Sequence, residues 1–282
     1  MVLAKRLNWI AAFIIAALAM LNVHSMAQEL PKPDAVLGMS LGQVAAGEAQ
    51  IQDLTHALND KSPFWPGEDY QPFQLRTIAT LDKNGVSSKA FAMPEHFGTH
   101  LDAPNHFEQG QTSVDEIPAT DLFAPGITID ISLQTEMDPD YLLSVSDVTT
   151  WEKSHGRIPD RAIVVLNTGW GRHWNNSMRY RNQDALGKMH FPGYSAEAAR
   201  WLVKERSVRG IGIDTLSIDH GPSKDFVVHH IINGSGRYAL ENIANVDKLP
   251  ARNFFLIVAP IKISTGTGGP TRLFAIVPKS KQ

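Results

Sequence analysis

The sequence predicts an α/β fold: a single domain built on a mixed β-sheet, with many strands and few helices. Short apolar runs rich in isoleucine and valine, such as residues 162–166, recur along the chain and are typical of buried strands. Two amphipathic segments between these runs carry helix-capping residues. The 282 residues are 43% hydrophobic and 20% charged, which is enough apolar material for one full core. No repeat or linker divides the chain.

The order of the elements follows from local patterns. Polar and apolar residues alternate at 74–81 and 88–93, as in half-buried strands. Ser144 and Ser195 are helix N-cap residue types, and they place helices at 145–155 and 195–205. A short helix is also expected within 35–50. The remaining expected strands are 51–58, 127–131, 162–166, 211–213, 254–259 and 273–277.

The N-terminus predicts export. Two basic residues, Lys5 and Arg6, precede an apolar run at 10–21, and Ser25 and Ala27 offer the small residues of a cleavage site. We therefore expect residues 1–27 to be a signal peptide, residues 28–282 to be the functional domain, and the protein to be periplasmic or secreted. The alternative is an uncleaved anchor, although a run this short falls below the about 20 residues that span a bilayer.

Composition excludes several function classes. The chain has no cysteine, so disulfides, thiolate ligands and a cysteine nucleophile are excluded. The formal net charge is −3, without long runs of like charge. Nucleic acid and stable membrane association after signal removal are therefore not expected, and a small-molecule substrate is the expected partner.

The informative segment is residues 95–106, which holds His96, His100, Asp102 and His106. Imidazole and carboxylate groups together suit Zn²⁺ or Mn²⁺. Gly98 disfavours a helix, so a strand that runs into a tight loop is expected. In a strand, His100 and Asp102 point the same way, and a bend at Gly98 allows His96 to converge on them.

Three ligands in one short segment need partners from elsewhere in the chain. Residues 214–241 are rich in candidates, and Asp102 is placed to bridge two ions if both a histidine and a glutamate join the site. The candidates in this region are Asp214, Asp219, His220, His229, His230 and Glu241.

The segment from His96 to His106 resembles the H-x-G-T-H-x-D-x-P-x-H signature of the metal-dependent cyclase/hydrolase family, which has formamidase-like and isatin hydrolase-like branches. Weaker similar blocks follow in the same order as in that family, at 53–67, 166–170, 212–219 and 259–272. The resemblance covers most of the chain after residue 27. It implies the cyclase-like swivelling β/β/α type of fold and a homodimer or homotetramer.

The resemblance also implies roles for individual residues. His106 would be the catalytic acid/base, and one or two divalent ions would bind per chain. Because isatin hydrolase-like members lack the second-site glutamate, its presence favours the formamidase-like branch. His230 adjoins His229, so the histidine assignment stays open between the two. The implied metal ligands are His96, His100, Asp102, His229 and Glu241.

The expected reaction is hydrolysis of an amide C–N bond, first of all in an aryl formamide such as N-formylkynurenine. A bound divalent ion lowers the pKa of its water to about 7, so hydroxide can attack the carbonyl at neutral pH. Two alternatives remain: a hydrolase of a cyclic amide or lactone such as isatin, and a periplasmic binding protein that uses the metal without turnover. Phe64, Trp65 and Trp170 are candidate pocket residues, and core packing would explain them equally well.

Overall fold

The computed structural model describes residues 41–279, so the signal peptide expected at 1–27 lies outside the described residues. Seven α-helices and twelve strands occur within 41–279. The strands are β1 (Ala49–Asp53), β2 (Gln74–Ala79), β3 (Ser88–Ala92), β4 (His100–Asp102), β5 (Phe123–Asp130), β6 (Leu142–Leu143), β7 (Ile163–Asn167), β8 (Gly193–Tyr194), β9 (Gly210–Ile213), β10 (Tyr238–Glu241), β11 (Phe254–Pro260) and β12 (Gly268–Pro278). The helices are α1 (Leu41–Ala45), α2 (Leu81–Asn84), α3 (Ser132–Met137), α4 (Val145–His155), α5 (Ser177–Arg181), α6 (Ala196–Arg206) and α7 (Val227–Gly234).

Eight strands form one mixed sheet in the order β1-β12-β11-β5-β7-β9-β10-β4. The short strand β4 pairs antiparallel with both β10 and β12, so the sheet closes into a barrel-like arrangement. The α/β class with a mixed sheet is thus confirmed. Strands β2 and β3 form a separate two-stranded sheet, as do β6 and β8.

The centre of the sheet is parallel. β5, β7, β9 and β10 run side by side in the same direction. Parallel strands bring their carboxyl ends to one edge, where α/β proteins commonly bind ligands. Three of these ends carry polar residues, namely Asp130, Asn167 and Glu241, and Asp214 follows directly after β9. Of these residues Glu241 belongs to the candidate site described below, whereas the other three line a second cavity.

The two faces of β7 pack against different cores. Val164 and Leu166 join a cluster with buried residues of α4, α6 and α7. Ile163 and Val165 point the other way, into a cluster built from the antiparallel strands. A strand buried on both faces explains its continuous apolar sequence.

Most element boundaries agree with the sequence analysis. Helix α4 begins after Ser144, whose hydroxyl accepts from the Asp147 amide in a capping box. Helix α6 begins after Ser195, whose hydroxyl accepts from the Ala198 amide. The short helix expected within 35–50 is confirmed by α1 at Leu41–Ala45, and the strand expected at 51–58 is observed as β1 at Ala49–Asp53, where it pairs with β12. Within residues 41–279, no helix has the length and apolarity to cross a bilayer.

Candidate active site

The segment around β4 adopts the strand-and-loop geometry that its sequence indicates. Gly98 has a φ of 65°, in the left-handed region that glycine adopts without strain. The chain bends there before entering β4, which carries His100 and Asp102 side by side on one face. Both side chains are almost fully buried, with exposures of 2% and 0%. The pleat of a strand thus aligns two candidate ligands, and the bend returns His96 to them.

His96 contacts Asp102 through one ring nitrogen and Thr267 through the other. Its Nδ1 lies 2.6 Å from Asp102 Oδ1, and its Nε2 lies 2.9 Å from Thr267 Oγ1. The Thr267 hydroxyl donates to Glu95 Oε2 at 2.7 Å, so its oxygen is left to accept a hydrogen bond from His96 Nε2. The other ring nitrogen, Nδ1, faces Asp102 and the site.

Helix α7 and strand β10 supply the other half of the site. His229 Nε2 lies 3.2 Å from Glu241 Oε1 and 3.6 Å from Asp102 Oδ2. The opposite ring nitrogen, Nδ1, bonds Asp219 Oδ2 at 2.7 Å. A carboxylate behind an imidazole is the usual way in which proteins orient a histidine ligand. His230 is exposed and pairs with Glu108, so of the two neighbouring histidines it is His229 that lies beside the other candidate ligands.

These residues fit a divalent cation. His100, Asp102 and Glu241 offer one ligand atom each, all within 4.8 Å of one another, and His96, Asp102 and His106 form a second such group. His100 Nδ1 donates to the Gly98 carbonyl at 2.8 Å, which leaves Nε2 to the site. His100 Nε2 and Asp102 Oδ2 are buried without a hydrogen-bond partner. Buried polar atoms without partners are costly, and a cation satisfies both.

The electrostatics of the site show why it attracts positive charge. Burial alone would lower the pKa of His100, but the neighbouring Asp102 and Glu241 carboxylates raise it to about 9. Burial raises the pKa of Glu241, and the negative charge of Asp102 adds to this effect. Two carboxylates in a buried space require compensating charge. Protons on the imidazoles supply it without metal, and a cation displaces them.

His106 lies in the short 3₁₀ turn after β4 and stacks on His96, with ring centroids 3.7 Å apart. Burial lowers its pKa to about 3, although the nearby Asp102 charge opposes the shift. The imidazole is therefore neutral at physiological pH and lies beside the candidate ligands.

A cavity of about 290 Å³ opens onto these side chains. Phe64 and Trp65 line it, as does the buried Asn242. Trp170 does not line this cavity. It is 5% exposed in a separate core cluster, and its indole N–H donates to the Tyr180 carbonyl at 2.8 Å.

The roles of several residues in the site are not apparent from the sequence. Asp219 was one of the downstream candidates, but its contact with His229 depends on how α7 packs. Glu95 and Thr267 are 172 residues apart, so only the fold reveals that they hold His96. Phe107 and Phe226, which complete the cavity wall, read as ordinary apolar residues in the sequence.

The fold and site define a hydrolase with a histidine–carboxylate site that can hold a metal ion. A family model described as "Putative cyclase" matches residues 52–220, and the chain belongs to this family.

Individual relatives agree with this assignment. Isatin hydrolase of Roseibium aggregatum is 31% identical over 253 residues, which cover 84% of this chain and 95% of that protein. Kynurenine formamidase of Bacillus cereus is 25% identical over 226 residues, covering 78% and 94%. The structure of isatin hydrolase A from Labrenzia aggregata bound to benzyl benzoate superposes with a TM-score of 0.81 at 35% identity, covering 86% and 99%. Two of these three relatives are named isatin hydrolases, and the third is named a kynurenine formamidase.

Proposed function

We propose that this chain hydrolyses the C–N bond of a small aromatic amide, with a cyclic amide of the isatin type as its first candidate substrate. The observation that carries the proposal is the pairing of a buried histidine–carboxylate cluster with a cavity that has aromatic walls. The reaction adds the oxygen of water to the carbonyl carbon, breaks the C–N bond and delivers a proton to the nitrogen.

A divalent cation held by His96, His100, Asp102, His229 and Glu241 would supply a Lewis acid and an acidified water at neutral pH. His106 lies against His96 and lines the cavity, so it is placed to take the proton of the attacking water and return it to the leaving nitrogen. The aromatic walls exclude bulk water and hold the substrate flat against the ligands.

The choice between two substrate classes rests on size and similarity. The cavity, at about 290 Å³, is just below the roughly 300–1,000 Å³ typical of ligand sites, which suits a compact ring better than a long amino-acid side chain. Identity to isatin hydrolase, at 31%, also exceeds identity to kynurenine formamidase, at 25%. Both observations favour a cyclic amide over an aryl formamide, which is the reverse of the order expected from the sequence.

An aryl formamide such as N-formylkynurenine is the second candidate. Glu241 favours it, because the sequence resemblance associates this glutamate with formamidase-like members. Its carboxylate lies against both His100 and His229, at 3.5 Å and 3.2 Å, where it would complete a second ion site. The metal is accordingly proposed to be Zn²⁺ or Mn²⁺, with one or two ions per chain.

The test uses purified protein that starts at residue 28. Elemental analysis gives the ion type and the ions per chain. Turnover is then measured on isatin, N-formylkynurenine and a lactone of similar size, before and after treatment with a chelator and after re-addition of each metal. Metal-dependent turnover of isatin or the formamide supports the proposal. Metal binding without turnover of any of them would favour the binding-protein alternative.

We also propose that the chain assembles as a homodimer or homotetramer. The β2–β3 hairpin supports this, since isolated two-stranded sheets are marginally stable in water. Leu75, Ile78 and Phe91 on this hairpin are each more than half exposed. Light scattering after size exclusion tests the proposal, and a monomer at micromolar concentration would refute it.

Export to the periplasm or medium remains a proposal, supported by the charge and hydropathy pattern of residues 1–27. Fractionation of the producing cells and N-terminal sequencing of the mature protein test it. A mature chain that begins at or near residue 28 supports it, and an intact N-terminus in the cytoplasmic fraction rules it out.

A further inference from the structure

Phe226 has an unusual backbone for its residue type. It immediately precedes α7 with φ of 47° and ψ of 41°, in the left-handed region. Eight non-glycine residues within 41–279 have positive φ, and four of them are asparagines, which tolerate this conformation. Phe226 is the one aromatic residue among the eight. A bulky side chain in this conformation is a departure that needs a reason.

The turn itself explains the backbone but not the side chain. The reversal at residue 226 brings the first turn of α7 onto Asp219, which accepts the amide protons of Val228 at 3.0 Å and His229 at 3.1 Å. The same carboxylate holds the His229 ring. Glycine would make this turn without strain. The contacts of the phenyl ring must therefore offset the strain.

The ring lies on the cavity wall beside the candidate ligands and is half-buried. Its centroid is 5.7 Å from the Trp65 ring, with an interplanar angle of 59°, and 5.5 Å from the Phe107 ring, at 46°. Phe107 in turn lies 4.4 Å from the ring of His229. Three aromatic rings thus form a continuous wall that reaches a candidate metal ligand.

We propose that Phe226 is a specificity-determining residue, whose ring forms with Trp65 and Phe107 an aromatic wall that selects ligands with a flat aromatic ring next to the metal-binding group. The inference rests on the proposed function and names one residue that sets its substrate class. Tilted and offset ring pairs at these separations are attractive beyond the area they bury. A ligand with an aromatic ring therefore gains binding free energy from its contact with this wall, and an aliphatic ligand does not.

The test compares two carboxylates on the metal-loaded protein: benzoate, which has a ring, and acetate, which does not. Removing the ring in Phe226→Ala or Phe226→Gly is expected to weaken benzoate binding about tenfold and to leave acetate binding within about twofold. Phe226→Leu keeps apolar bulk without a flat face, and should fold normally yet also lose benzoate affinity. Unchanged benzoate affinity in these variants, or an equal loss for both ligands, overturns the inference.

Ser207 offers a matched control for backbone strain, because it has a φ of 46°, is exposed and lies at the end of α6, away from the cavity lining. At both positions the glycine variant should melt about 2–4 °C above the alanine variant. Benzoate affinity should change at position 226 alone. Phe226→Ala melting at or above Phe226→Gly would contradict the strain argument. Since benzoate binding needs no turnover, failure of the hydrolase proposal in the amide assay is distinguishable from failure of this inference.

Discussion

Gly98 controls how His96 meets the other candidate ligands, and replacing it with alanine should damage both stability and the site. Its φ of 65° costs a residue with a Cβ about 1–2 kcal/mol. A Cβ at this position would also overlap Leu58 Cδ2. Overpacking of this kind typically costs about 1–3 kcal/mol. Because Leu58 is half-buried and can shift, we expect Gly98→Ala to lose about 2–4 kcal/mol in total.

Gly85 provides the control for the backbone term. It has a φ of 67°, and an added Cβ there would meet nothing within 4 Å. Gly85→Ala should therefore lose only the left-handed cost of about 1–2 kcal/mol. The gain from stiffening the unfolded chain is common to both substitutions and cancels in the comparison.

Two measurements separate the terms. Urea denaturation gives the free energy of unfolding of each variant, and metal titration reports whether His96 still reaches the site. Gly98→Ala should bind metal and turn over substrate at least tenfold less well, because displacing a positioned group by about 1 Å can cost 10²-fold. Gly85→Ala should keep both activities. The reasoning is refuted if the two variants are equally stable and Gly98→Ala binds metal normally.

Three further outcomes are expected. His106→Asn should lower kcat about 10²–10⁴-fold with metal content unchanged, and full activity would remove its acid/base role. Asp219→Asn should weaken metal affinity about 10–100-fold by releasing the Nδ1 of His229, measured by competition with a chromogenic chelator; unchanged affinity would contradict that role. Burial lowers the pKa of His56, which stacks on Trp174, to about 4. Between pH 6.5 and 4, His56 is therefore protonated in the unfolded chain but not in the folded one. The free energy of unfolding then falls as the pH is lowered, by about 2 kcal/mol after allowance for partial exposure of the ring. His56→Phe should flatten that part of the curve of unfolding free energy against pH, and an unchanged slope would refute the assignment.

Features fixed by short-range rules could be predicted from the sequence. The alternation of a strand placed His100 and Asp102 on one face, and the left-handed preference of glycine placed the bend at Gly98. Ser144 and Ser195 marked the starts of two helices because capping involves neighbours three residues away. These are the parts of the fold in which cause and effect lie within one turn or one strand.

Features that depend on distant contacts could not be predicted. Trp170 was an equal candidate for pocket and core, and its position follows from packing against Tyr180 and Trp174 in a cluster formed by several loops. The support of His96 by Thr267 joins residues 171 positions apart. Strand β1 covers 49–53 instead of the expected 51–58, because its pairing with β12 sets its ends and no local pattern reveals that pairing. In each case tertiary contacts outweigh local preference.

Strand β4 is only three residues long, yet it has a neighbour on each side: β10 on one and β12 on the other. The other neighbour, at 268–278, begins directly after Thr267, whose hydroxyl lies 2.9 Å from the Nε2 of His96. One pairing between segments far apart in the sequence therefore aligns His100 and Asp102 and at the same time brings the support for His96 into place. We expect a chain cut before residue 268 to leave β4 with a single neighbour and all three candidate ligands misaligned.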